Sequence, residues 1–399
     1  MATRVPRRTK PSEETEVVPA ADPAPLAESA ATEAEMLERA RAEVAKDVDF
    51  EPSKGGWVAR VSLYVCVAVL VLVVPSTREG FEVNIFTQAV VFAIIGLSLN
   101  VLLGYVGQIS LGHQAFVGIG AFTSAYIVTV QKQSFFIAVI VAMAVGALQA
   151  LILGGVALRI KGLYFALITL SYGLVAEQSI FQIQSLTGGG AGQTAPKPTA
   201  FATDLRYYYL CLAFLGAVIW IDFRMMRTKG GRALLALREN PRVASTFGVN
   251  VKVFTLFAFV VAGVFAGLGG ALLAHNDTFV VADIYNFRLA LVFVIMTVVG
   301  GLRSRTGVII GSAFFALLGF FIEKFHFIEV ALRNIPFAPT LTPQIAPLVV
   351  GPLLLLLTLT LYPGGIGQQI RPVLRWLGGH RFDLHDRGEK EVQISDVRA

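Results

Sequence analysis

A chain of 399 residues with 55% hydrophobic and 15% charged side chains does not read as a soluble globular protein, which carries about 25% charged residues. Mean hydropathy is +0.67, and several apolar runs are long enough to cross a hydrocarbon core of about 30 Å. The formal charge of +6 is uneven: residues 1–56 hold eight Lys/Arg against twelve Asp/Glu, net −4, and the remainder is net +10. Lys/Arg-rich loops make a membrane domain basic, so this charge gives no reason to expect nucleic acid.

Residues 1–56 are rich in Pro, Glu, Ala and Thr and poor in aromatics, which predicts a disordered extension. An isolated helix fits Thr32 to Asp47, with Thr32 as cap and Glu35 as its box partner. No signal peptide is visible after the basic start. Cys66 and Cys211 both lie inside apolar runs, so no disulfide framework is indicated.

The remaining chain predicts an all-α, polytopic membrane domain over 57–369, followed by a tail over 370–399. Ten spans are expected: Trp57–Pro75, Val83–Leu103, Ser110–Val130, Phe135–Leu158, Leu163–Ile183, Tyr207–Phe223, Val253–Ala274, Phe287–Gly301, Gly307–Phe325 and Pro343–Leu361. The third begins in a Gly- and Ser-rich stretch and is expected to start unwound. The eighth is short. With both termini in the cytoplasm, the basic loop at 224–250 falls inside, as the positive-inside rule requires.

That loop is the polar stretch between spans six and seven. Arg224, Arg227, Lys229, Arg232, Arg238, Arg242 and Lys252 fall in or beside it, with Glu239 as its acid after Asp222. Gly231 to Glu239 reads as a short helix with Ala233, Leu234 and Leu237 on one face. Asn240-Pro241 ends it and starts a second helix, and Gly248 suits a left-handed stop. Two readings are open: an ordinary loop retained inside by its charge, or an element that docks into a soluble partner.

Within the spans, Asn100, Gln108, Ser110 and His113 interrupt the second and third helices near Gly104, Gly107 and Gly112. They read either as hydrogen bonds between helices or as the lining of a path, where non-helical backbone is tolerated. Glu177, near the outer end of span five, reads as an interfacial carboxylate or as part of that path. His275, His326, His380 and His385 have no ligand partners at useful spacing, so no metal site is expected. No P-loop, H-E-x-x-H or G-x-S-x-G is present, so the chain is not read as an enzyme and no cofactor is expected.

Four stretches carry a family resemblance. They are GLSLNVLLGYVGQISLGHQAFVGIGAFTSAY (Gly96 to Tyr126), LRIKGLYFALITLSYG (Leu158 to Gly173), GRALLALRENPRVASTFGVN (Gly231 to Asn250) and GGLRSRTGVIIGSAFF (Gly300 to Phe315). Together they resemble the permease subunits of branched-chain amino acid ABC importers, with urea and short-amide permeases as near relatives. The likeness covers roughly Val83 to Gln369. Departures are Arg303 where the family usually has Gly, Val308 where it has Pro, Ala191 in TGGGAG where it has an acid or amide, and Leu174 where it has an acid.

The resemblance implies a membrane path for branched-chain amino acids in the cell (plasma or inner) membrane. Urea or a short amide is the alternative cargo. It also implies a second permease subunit, two cytoplasmic ATPase subunits and an extracytoplasmic solute-binding protein. Path candidates are Asn100, Gln108, Ser110, His113, Tyr164, Thr169 and Glu177. Coupling candidates are Gly231, Arg232, Leu237, Arg238, Glu239, Asn240 and Gly248. An ion-coupled secondary transporter and a structural scaffold are the competing classes, and the coupling-loop likeness counts against both.

Overall fold

Eight of the predicted apolar runs form helices whose ends lie within a few residues of the expectation. In the computed structural model the described residues are 80–160 and 162–324, the pieces 71–78, 351–353 and 365–367, and positions 62, 69 and 356. The first and tenth expected spans lie largely outside the described residues. So do both tails, Cys66, His326, His380 and His385. The described residues belong to one unit, Val58–Leu374.

The helices are α1 (Phe81–Leu99), α2 (His113–Thr129), α3 (Phe135–Ala157), α4 (Leu163–Gln178), α5 (Asp204–Arg227), α6 (Lys229–Glu239), α7 (Pro241–Thr246), α8 (Val251–Asp277), α9 (Phe287–Gly300) and α10 (Arg305–Lys324). Among the described residues, five helical stretches are long and apolar enough to cross a membrane. α1 and its continuation to Val106 are enclosed by protein along their apolar length, and α8 is mostly enclosed. α3, α4 and α5 leave one side open, with Ile140, Ile152, Val175 and Trp220 exposed. Helices that are apolar all round belong in a bundle centre or in lipid, and here α1 and α8 take the centre.

The centre is close-packed because glycines let backbones touch. α8 runs along α3 and α2. A Cβ on Gly146 would lie 2.3 Å from Gly263 O, and one on Gly270 would lie 1.9 Å from Val117 O. No larger residue fits either crossing, as is usual where helices pack without a hydrophobic driving force. Polar side chains add ties. Tyr207 donates to Leu272 O at 2.8 Å, and Gln149 donates to Phe116 O at 3.2 Å while accepting from Tyr172 at 2.6 Å.

The helices alternate between two ends. One end carries a small two-stranded sheet that joins distant segments, β1 (Gln193–Thr194) antiparallel to β2 (Phe279–Val280), with Gln193 opposite Val280. Thr129 donates to Thr194 O at 2.6 Å. Lys197 is nearly buried there, paired with Asp204 and donating to Asn84 Oδ1. The other end carries α6 and α7, the α1–α2 bend and the α9–α10 loop, and is called the basic end below.

Candidate functional site: the junction at the basic end

The predicted unwinding is present. α1 passes into a wide π-type turn over Asn100–Val106 and stops at Gly107, whose φ is 74°. Residues 107–112 are irregular before α2 begins at His113. Gly104 is required because a Cβ there would lie 2.1 Å from Asn100 Oδ1. Asn100 is buried, and its Oδ1 accepts from Arg303 N at 3.0 Å.

Five side chains on this bend hold buried polar atoms with no protein partner among the described residues. They are Asn100 Nδ2, Gln108 Oε1, Ser110 Oγ, His113 Nδ1 and both amide atoms of Gln114. A buried polar atom left unpaired costs about 1–3 kcal/mol, so such a cluster calls for an explanation. His113 itself is fully buried, with Nε2 3.0 Å from Ser98 Oγ.

Of the other predicted path residues, the structure brings one to the bend. Thr169 on α4 is buried and accepts from Leu111 N at 3.0 Å while donating to Ala166 O at 2.9 Å. A Cβ on Gly112 would lie 1.9 Å from Thr169 O, so α4 presses directly on the bend. Tyr164 is 74% exposed and lines an open groove of about 550 Å³ with Arg159, Leu167 and Ser171. Glu177 stands apart, about 12 Å beyond Thr169 along α4 at 1.5 Å per residue. Its Oε2 accepts from Phe287 N at 3.1 Å, and Asn286 Oδ1 accepts from Leu289 N at 3.1 Å. Glu177 therefore serves the open N–H groups at the start of α9. A groove of about 320 Å³ beside it is lined by Asp283, Asn286 and Arg288.

The coupling candidates divide between two faces. Gly231 is buried against the Met226 backbone, where a Cβ would lie 2.4 Å away. Leu234 and Leu237 are buried too, so the apolar stripe of α6 faces the chain's own helices. Arg238 also turns inward and donates to Gly104 O of the π turn. Glu239 pairs with Arg303 of the α9–α10 loop. That hydrogen bond, with the Arg303 charge, holds the Glu239 carboxyl below its ordinary value. Asn240 caps α7 as predicted, accepting from Arg242 N at 3.0 Å and Val243 N at 3.3 Å. Gly248 has φ 81° with open space where a Cβ would stand. Arg232 is exposed, as are Arg242, Val243 and Phe247 on and after α7, with Phe247 at 83%.

Sequence reasoning missed several members of this junction. Asp222, buried on α5, accepts from Tyr105 at 3.0 Å and pairs with Arg305. An acid inside an expected span was the available signal. Ser98 had no comparable signal, because its partners His113 and Ala262 stand on other helices.

Helices long and apolar enough to cross a membrane, a glycine-rich broken segment and an amphipathic loop laid across them define a multi-pass membrane protein. The family described as "Branched-chain amino acid transport system / permease component" matches residues 81–358, and the chain belongs to it. It is an ABC-transporter permease of the cell membrane. The chain is 28% identical over 291 residues to the high-affinity branched-chain amino acid transport system permease protein LivM of Escherichia coli K12, covering 65% of this chain and 68% of that protein. It is 25% identical over 231 residues to the guanosine ABC transporter permease protein NupQ of Bacillus subtilis, covering 53% and 69%. It is 25% identical over 294 residues to the galactose/methyl galactoside import permease protein MglC of Salmonella typhimurium, covering 67% and 84%. No solved structure matches it at a significant level.

Proposed function

We propose that the chain is the translocation subunit of an ATP-driven importer of branched-chain amino acids. It would work with a second permease subunit, two cytoplasmic ATPase subunits and an extracytoplasmic solute-binding protein. The basic end then faces the cytoplasm and the end with the two-stranded sheet faces outward. The observation that carries this reading is the loop from α6 to α7. Its buried stripe fastens it to the membrane bundle, while Val243 and Phe247 stand exposed among Arg232 and Arg242. A large exposed apolar side chain in a polar loop suits a protein partner.

The path reading rests on the orphaned polar atoms of the α1–α2 bend, which water or a small polar solute would serve. Gln108 and Ser110 belong to the irregular backbone itself, and Thr169 holds that backbone against α4. Tyr164 and Glu177 would mark the two ends of the α4 side of the path. Movement between inward- and outward-open states follows if a displacement of the α6–α7 loop tilts α5 and α8, between which it is strung.

The substrate assignment follows the relatives named for branched-chain amino acids. It is tested by rebuilding the complex in vesicles and measuring ATP-dependent uptake of leucine, isoleucine and valine against urea, guanosine and galactose. Uptake of the three amino acids alone supports the assignment. Uptake of another solute in their place replaces it.

A further inference from the structure

Three ties from outside α1 converge on the single π turn at its end. Asn100 Oδ1 accepts from Arg303 N, Gly104 O accepts from Arg238, and Tyr105 donates to Asp222, which also holds Arg305. Glu239 closes the figure by pairing with Arg303. The turn is thus linked to α6 on one side and to the α9–α10 loop on the other.

These ties differ in kind from the rest of the α6 interface. The buried face of α6 is made by Ala233, Leu234 and Leu237, and apolar contact is non-directional. A helix held only that way can slide. Hydrogen bonds to fixed backbone groups have direction and register. Gly104 also lies in the last turn, where carbonyls run out of helical donors, and the Arg238 guanidinium supplies one.

Arg303 is held in an unfavourable conformation. Its φ is 70°, in the left-handed region that costs a side-chain-bearing residue about 1–2 kcal/mol. Glycine would take this backbone without that cost. The pair it makes with Glu239 is exposed, at 39% and 70%, and exposed pairs add little stability. Stability therefore does not account for an arginine here, whereas position does: this side chain is what joins the α9–α10 loop to the last turn of α6.

We propose that Arg238 and Arg303 are positioning residues that carry displacement of the α6–α7 loop into the π turn, and through Gly107 into Gln108 and Ser110. This rests on the reading of the chain as an ATP-coupled permease. Arg238 does so by direct contact: its Cγ would stand 3.2 Å from a Cβ on Gly107, and its guanidinium holds Gly104 O. Arg303 does so from the other side, through its own N–H on Asn100.

The test uses the assembled complex, with Gln108→Cys as reporter and a charged maleimide as probe, in the nucleotide-free and the vanadate-trapped state. The parent complex should show a severalfold contrast in labelling between the two states. Arg238→Ala and Arg303→Gly should each remove most of that contrast while the ATPase still co-purifies. Exchanging the pair, Arg303→Glu with Glu239→Arg, should restore part of what Glu239→Arg alone loses. A contrast that persists in both single variants overturns the inference and leaves the permease reading intact. A parent complex with no co-purifying ATPase, or with no contrast at all, overturns the permease reading and this inference with it. Should Arg238→Ala fail to assemble, Arg303→Gly decides the matter, because glycine keeps that backbone and removes only the side chain.

Discussion

Ser98 and His113 share a hydrogen bond of 3.0 Å whose direction is determined by a third group. The Ser98 hydroxyl donates to Ala262 O on α8 at 2.6 Å, and it has one proton to give. His113 Nε2 must therefore carry hydrogen and donate to Ser98, and the unpartnered Nδ1 is a bare acceptor. His275 has the opposite tautomer: its Nδ1 donates to Pro196 O at 2.7 Å, so Nε2 accepts from Ser124 at 2.9 Å. His113 thus ties α1, α2 and α8 together at the bend. Replacing it by Ala removes a buried ring and leaves Ser98 short of a donor, which is expected to cost about 2–4 kcal/mol. The thermal midpoint of the purified complex should fall clearly, while Gln108→Ala should leave it nearly unchanged and lower uptake instead. Equal heat stability of the His113→Ala and parent complexes would contradict this division of roles.

Leu237 and Phe247 separate the two faces of the loop. Leu237 is 3% exposed against the chain's own helices and Phe247 is 83% exposed. A cysteine at Phe247 should cross-link to the ATPase subunit and one at Leu237 should not. Phe247→Ala should weaken co-purification of the ATPase without lowering the amount of folded permease. If Leu237 cross-links and Phe247 does not, the docking face is wrongly placed.

Helix positions were legible because long apolar runs bounded by Gly, Pro or charge have one low-energy form in lipid. Asn240-Pro241 and Gly248 were legible for a similar reason: capping and left-handed stops are local, and the structure shows the Asn240 cap and a φ of 81° at Gly248. The break at Asn100 to Gly112 was visible in its glycines. What was not legible depends on distant partners. Nothing near Arg238 in sequence says that it reaches Gly104, and nothing near Asp222 points to Tyr105 and Arg305. The amphipathic stripe of α6 was read correctly, yet the sequence does not say whether it faces its own bundle or a partner.

The orientation gives a direct topological prediction. Arg242 lies on exposed α7, and Gly190 lies in the loop before β1 with open space around it. In otherwise cysteine-free chains, a cysteine at Arg242 should react with an impermeant maleimide only from the cytoplasmic side, and one at Gly190 only from outside. The basis is the concentration of Lys/Arg in the loop that holds α7. Reaction of both positions from the same side would remove the alternating arrangement of the helices.

The Glu239–Arg303 pair has a defined pH response. The partner arginine lowers the Glu239 carboxyl below its ordinary value of 4.5. The folded form therefore gains from the pair above that ordinary value and loses it as pH falls through the lowered one. Between pH 6 and 8 the contribution should be constant. In acid, the parent complex should lose part of its neutral-pH thermal midpoint as the pair is lost, whereas Arg303→Gly, which has no pair to lose, should show a flatter acid limb. Because the pair is exposed, about 1 M salt should largely remove the difference between the two. A parent and an Arg303→Gly complex with the same acid limb at low salt would show that the pair does not form in the membrane-bound protein.

Gly248 offers the sharpest separation of backbone from side-chain effects. With φ 81° and nothing within 4 Å of an added Cβ, a substitution meets no steric obstacle. Any cost is conformational: about 1–2 kcal/mol for most residues in the left-handed region, and less for Asn, which enters it more readily. The turn sets how α7 and Phe247 are aimed before Asn250 starts α8, where its Oδ1 accepts from Val253 N at 3.2 Å. Gly248→Val should therefore re-aim the loop, keep the membrane bundle folded, and reduce both solute-stimulated ATP hydrolysis and uptake. Gly248→Asn should stay close to the parent in both measurements, and Gly248→Ala should fall between them. That order follows from the backbone alone, since all three side chains point into open space. If Val and Asn impair the complex equally, the left-handed turn is not what aims Phe247, and contact of residue 248 with the ATPase becomes the better account.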